Sequence, residues 1–134
     1  MAKPSFWLSR ELTTCAVYYC LCLDEKEFHA ELKHCGIPQS LYRPFLVSPR
    51  SHAAVHYYSH GDKELAFVCL GDTDDRTGVQ IAALLCHEAV HIWQHHAGLI
   101  GAGNDHGDEE EAYAIQAIAQ ALMQSFAERR VHNG

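Results

Sequence analysis

Thr77-Gly78-Val79-Gln80-Ile81-Ala82-Ala83-Leu84-Leu85-Cys86-His87-Glu88-Ala89-Val90-His91-Ile92-Trp93-Gln94-His95-His96-Ala97 decides how this chain is read. It has no proline, and no glycine between Val79 and Ala97, so it predicts a helix that Gly98 can stop. It is apolar on more than one face, which predicts burial. At its centre stands H-E-x-x-H. On a helix His87 and His91 are i and i+4, so both imidazoles leave one face and can bind one Zn²⁺. Glu88 is turned by about 100° from His87. It is poorly placed as a ligand beside the two histidines, but it can reach a metal-activated water and take its proton. With 11 histidines in the chain, the bare motif can arise by accident, and two core histidines that only hydrogen-bond are the bland alternative.

Catalytic zinc usually takes three protein ligands and keeps one position open. Downstream, Asp108-Glu109-Glu110-Glu111 opens an alanine-rich run to Met123, which predicts a second long helix. Acidic residues in a first turn also suit the helix dipole, so the glutamates need no metal to explain them. Direction separates them. At about 100° per residue, Glu111 lies with Ile115, Ile118 and Leu122, whereas Glu110 lies with Ala114, Ala117 and Ala121. A bare carboxylate on a core-facing stripe is unfavourable, and a metal would relieve that. Glu111 is therefore the first candidate for the third ligand and Glu110 the next. Asp105 and His106, in the glycine-rich connection, remain open as alternatives. A third histidine six residues after His91, as in metzincins, is absent: that position is Ala97.

H-E-x-x-H followed by a glutamate on the next long helix resembles the gluzincin metallopeptidases. The pair Glu111-Ala112 opening an alanine-rich helix is similar to minimal gluzincins of the ImmA type. The stretch from Arg76 to Gln94, then Glu111 to Gln116, also looks like small proteins encoded by bacteriophages and prophages. The likeness covers roughly the C-terminal half. It implies a small zincin-like domain, with zinc on His87, His91 and Glu111. The chain departs from thermolysin-like enzymes at Ile115, where those carry an aspartate that orients a zinc histidine, so partners behind the ligands are left unassigned.

The remaining composition fits one small domain over 1–134. A net charge of -7 with no basic run argues against nucleic acid as a partner. No stretch approaches transmembrane length, and the first ten residues lack the apolar core of a signal peptide. The six cysteines (Cys15, Cys20, Cys22, Cys35, Cys69 and Cys86) contain no C-x-x-C and read as free thiols in a reducing cytoplasm, the host's if the chain is phage-encoded. Cys86 reads as a small buried hydrophobe beside His87.

The N-terminal half reads as support. Residues 16–23 predict a buried strand. Asp24 and Glu27 form a capping-box start for a helix to about His34, closed by Gly36. Three prolines between Ile37 and Pro49 predict an irregular connection. Residues 53–58 and 65–70 predict a hairpin around Ser59–Lys63. His52, His56 and His60 read as a polar strand face rather than a second metal site, and one of them, or Tyr57 or Tyr58, is expected to line the cleft. The fold expected is α+β: a sheet of about three strands packed on the H-E-x-x-H helix, covered in part by the first helix, with the glutamate helix completing the site.

The function expected is zinc-dependent hydrolysis of a peptide bond, with Glu88 as general base. The alternative is a zinc-stabilised, non-catalytic interaction protein, such as a phage modulator of a host protein. A non-peptide zinc hydrolase is a third reading. Glu88 favours an enzyme, because a purely structural zinc has no use for a base. The expected partner is a protein or peptide substrate, with neither nucleic acid nor membrane; the sequence leaves the oligomeric state open.

Overall fold

A computed structural model describes residues 17–48, 50–99 and 108–133. Cys15, Ala16, Asp105, His106 and the Glu109 side chain, all named above, lie outside the described residues. The elements run β1 (Val17–Cys22), α1 (Glu25–His34), a 3-10 turn (Gln39–Leu41), β2 (Ala53–His60), β3 (Lys63–Leu70), α2 (Gly78–Leu99) and α3 (Asp108–Asn133). The domain is α+β with a three-stranded sheet in the order β1-β3-β2. β3 runs parallel to β1 and antiparallel to β2. It is the central strand, and Leu65 to Leu70 are all buried. A strand buried on both faces needs a cover on each.

On one face Cys20, Cys22, Phe67 and Cys69 pack with Phe28 and Leu32 of α1. On the other, Tyr19, Leu21, Val68 and Leu70 pack with Leu85, Ala89 and Ile92 of α2 and with Ile118 and Leu122 of α3. Alternation along the strands sends successive side chains to the two layers. The thiols of Cys20 and Cys22 thus share a side, 3.9 Å apart, and all five described cysteines are free.

Local signals account for the boundaries. Asp24 accepts a hydrogen bond from Glu27 N at 2.8 Å, and the Glu27 carboxylate accepts from Leu23 N at 2.8 Å. Asp24 caps α1 as expected, while Glu27 reaches one residue past the cap, to Leu23 instead of to Asp24 N. Gly36, at φ 78°, supplies the left-handed residue that ends the helix. The hairpin closes between His60 and Lys63 on Gly61-Asp62, tighter than the five-residue turn expected, with Gly61 at φ 64°. Thr77 and Gln80 exchange side-chain-to-backbone bonds at 2.9 and 3.1 Å and start α2. Gly98 does not stop that helix, which runs on to Leu99. One glycine in a last turn costs only about 1 kcal/mol, and docking against the layer below outweighs it.

Arg129 ties the last helix to the first two elements. Its guanidinium donates to Glu27 Oε1 at 2.9 Å and to the Leu21 carbonyl at 2.6 Å. Arg129 is only 6% exposed, so removing it leaves the Leu21 carbonyl without this donor and the Glu27 carboxylate with the Leu23 N–H in its place. Breaking a buried pair by removing one partner leaves the other unsatisfied. Arg129→Ala should lower unfolding stability by about 2–3 kcal/mol, read as a reduced urea midpoint with little change in slope. An unchanged midpoint would show that α3 docks by apolar contact alone.

Candidate metal centre

The docking of α2 sets the site. Ile81, Leu85, Ala89, Ile92 and Trp93 are its buried apolar residues up to His91 and just beyond. At about 100° per residue, His87 and His91 lie roughly 130–170° from the middle of that set. Both are accordingly exposed, and the helix is buried on one side only, although apolar residues on more than one face predicted a buried helix. Cys86 is exposed as well, correcting the expectation of a buried thiol. Glu88, one step round toward the sheet, is 5% exposed.

His87 Nε2 and His91 Nε2 converge to 3.2 Å. Two nitrogens bound tetrahedrally to one zinc at about 2.0–2.1 Å each would lie roughly 3.3 Å apart, so the pair fits the metal. His91 Nδ1 meets Gln94 Oε1 at 3.3 Å. With that oxygen as acceptor, Nδ1 carries the proton and Nε2 keeps its lone pair for a ligand. Gln94 is a partner of the His91 ring that no expectation from the sequence assigned. The i, i+3 step from His91 is the signal that points to it.

Glu88 has its pKa raised by burial, against the opposing pull of His87 and His91. Tyr57 of β2 is close enough to feel that carboxylate: its hydroxyl is pushed up to about 12 by burial and by the charge of Glu88. Tyr57 therefore stays protonated and can donate. Its ring stacks on His95 at 4.0 Å, and His95 Nε2 bonds Glu64 Oε1 at 3.0 Å. Of the residues expected to line the cleft beside His87, His52 does so, while Tyr57 packs on the α2 side of the sheet. Tyr58, one residue on, faces the opposite layer and donates to the Leu41 carbonyl at 2.9 Å.

Glu111 is half-buried and Glu110 exposed, in line with the direction of the apolar stripe. The Glu111 carboxylate accepts a hydrogen bond from Trp93 Nε1 at 3.0 Å. The structure thus brings the two histidines together and holds Glu111 at the indole two residues beyond His91. Among the described residues, no three His, Cys, Asp or Glu side chains assemble as a metal-holding group.

His52, His56 and His60 form no second cluster. His56 is not on a polar face: it is 4% exposed, stacks on Phe28 at 5.1 Å and bonds the Phe45 carbonyl at 2.9 Å. His52 bonds Arg76 through Nδ1.

A cleft of about 490 Å³ opens beside His87, lined by His52 and Ala53 at the start of β2, by Arg76, and by Gln80, Ala83, Leu84, His87 and Glu88 of α2. The edge strand β2 starts at this cleft. Gly71 N bonds the His52 carbonyl at 2.9 Å, and the two-residue turn pairs His60 with Lys63. The even-numbered residues of β2 therefore exchange bonds with β3, and Ala53, Val55 and Tyr57 turn their N–H and C=O groups to the open edge. Arg43 already caps one of these, the Tyr57 carbonyl, at 3.1 Å.

No family model, curated protein or solved structure matches this chain. Among the described residues no helix is long and apolar enough to cross a membrane.

The burial of Glu88 gives a test with a definite sign. Its folded pKa is raised, so the folded state favours the protonated acid. Its burial is least unfavourable at pH below the unfolded value, and destabilises increasingly as pH rises through the folded one. Metal-free Glu88→Gln should thus unfold at a higher temperature than metal-free wild type at neutral pH, the gap narrowing toward pH 4. A lower melting temperature at neutral pH would show that the carboxylate is held by favourable contacts instead.

Proposed function

We propose that the protein is a zinc-dependent metalloprotease of minimal gluzincin type, zincin-like in fold, with His87, His91 and Glu111 as metal ligands and Glu88 as general base. The observation that carries this is the convergence of two ring nitrogens to 3.2 Å beside a carboxylate that is 5% exposed. A purely structural metal needs the first and has no use for the second. Trp93, by donating to Glu111, would orient the third ligand, as hydrogen bonds commonly do for metal-bound carboxylates.

Bound there, zinc would supply Lewis acidity that acidifies a water and polarises a carbonyl. The chain's own groups would do the rest. An extended peptide would lie along the open edge of β2, using the backbone groups of Ala53 and Val55. Glu88, with its raised pKa, would take the proton of the attacking water and pass it to the departing amine. Tyr57, protonated at any working pH, would donate a hydrogen bond to the carbonyl oxygen as it gains charge. Gln94 would hold the ring of His91.

The five free cysteines suit a reducing cytoplasm, which we propose as the setting, in the host if the chain is phage-encoded. The second reading, a zinc-stabilised interaction protein without turnover, draws on the engagement of Glu111 by Trp93 in place of a three-residue cluster.

Two sets of variants separate these readings. The protein should bind about one zinc per chain. Glu111→Ala should weaken retention more than Glu110→Ala, and Trp93→Phe should weaken it by about 10–100-fold. If Glu110→Ala is the damaging change, the assignment on α3 is off by one residue. At matched zinc occupancy, Glu88→Gln should cut peptide hydrolysis by about 10²–10⁴-fold with the fold intact. Tyr57→Phe should lower kcat more than it alters KM. Full activity in Glu88→Gln would sink the hydrolase reading and promote the interaction protein.

A further inference from the structure

The cleft has two ends of unlike chemistry. At one end stand His87 and Glu88. At the other stands Arg76, on the loop before α2. Among the cleft's lining residues Arg76 is the fixed cation, in a chain whose net charge is -7. Two contacts hold it. Its Nη2 donates to His52 Nδ1, and its Nε donates to the Asp72 carbonyl at 3.3 Å. Neither acceptor is a carboxylate. A guanidinium has five N–H groups, so contacts among the described residues leave three for another partner. Among the described residues no carboxylate forms an ion pair with Arg76. Asp72 and Asp75 line a separate depression that Arg76 also borders.

A half-buried arginine with most of its donors unengaged, facing a cleft, matches a planar anion that accepts two parallel N–H bonds. A carboxylate has that shape. We infer that Arg76, positioned by His52, is a subsite for a carboxylate of the peptide that the cleft takes, so that cleavage is directed to a bond a fixed distance from that carboxylate. The inference rests on the peptidase reading for the word cleavage, but not for the subsite itself.

Position supports a single carboxylate at this end. Asp72 and Asp75 line the adjoining depression and disfavour a second negative charge just outside. The rise of α2 from its start at Gly78 to His87 is roughly 13–14 Å at about 1.5 Å per residue. An extended peptide spans that in roughly four residues, so the carboxylate would stand three to four residues from the bond that is cut. Its source is either the C-terminus of a peptide or an aspartate or glutamate side chain.

Three blocked tetrapeptides test this with the zinc-loaded, full-length protein. N-acetyl-Ala-Ala-Ala-Ala with a free C-terminus carries a terminal carboxylate. Its C-terminal amide carries none. N-acetyl-Ala-Ala-Glu-Ala amide carries a side-chain carboxylate only. Binding is followed by NMR through the Nε–H resonance of Arg76, and hydrolysis by mass spectrometry of the same samples.

At least one carboxylate peptide should bind roughly tenfold or more tightly than the neutral amide and shift that resonance. The tighter of the two identifies the source. In Arg76→Gln all three should bind alike; Arg76→Lys, which keeps charge but not the fork, should retain part of the preference. Equal affinities in wild type, or no binding of any peptide, would overturn the subsite. So would a preference that survives in Arg76→Gln, since another cation, such as the zinc itself, would then be the carboxylate's partner. If the preference holds and none of the peptides, nor longer ones ending in the preferred carboxylate, is cut, the hydrolase reading falls and the subsite stands.

Discussion

Everything at the site follows from how α2 is docked. Leu85, Ala89 and Ile92 lie against the sheet with no exposed surface, and this fixes the rotation of the helix about its axis. Once the rotation is fixed, an angular step of about 100° assigns each neighbour its surroundings. His87 and His91 go to the solvent side. Glu88 goes toward the sheet and loses water. Cys86, one step the other way, is left exposed. A buried base beside two exposed ring nitrogens is thus a consequence of core packing. No special backbone geometry is needed: among the described residues positive φ occurs only at Gly36 and Gly61, both far along the chain from α2.

The sheet supplies the other wall. β3 is covered on both faces, so β2 is left as the edge strand beside α2. Its alternation places Tyr57 on the α2 side, near Glu88, and Tyr58 on the α1 side, bonded to Leu41. The same alternation turns the backbone groups of Ala53 and Val55 to the open edge of the sheet. Arg43 closes the edge at Tyr57, and Arg76 borders the cleft at the opposite end. The proposed binding track is therefore short.

Local signals in the sequence were easiest to read. The Asp24 cap, the hairpin, the helix carrying H-E-x-x-H and the alanine-rich helix after it are all signalled within a few residues of where they act. Interactions across the chain were not legible. Arg129 sits 102 positions from Glu27, and nothing near it marks it as the buried arginine. His56 reads as polar but lies under Phe28, because α1 folds over that face. The exposure of α2 was misjudged because apolar residues surround it on several faces; Val79, at 80% exposure, is one that the core does not use. The stripe on α3 was legible, since Ile118 and Leu122 do point inward. The bond from Trp93 to Glu111 was not, since it depends on how two helices cross.

The central claim is that His87 and His91 share one zinc with a carboxylate. X-ray absorption at the zinc edge of the loaded protein tests it most directly. The account predicts four-coordinate zinc with two imidazole nitrogens, a carboxylate oxygen and a water oxygen, all near about 2.0–2.2 Å, and no sulfur. Sulfur at about 2.3 Å would instead place the metal among the cysteines and contradict the account. So would a spectrum without imidazole.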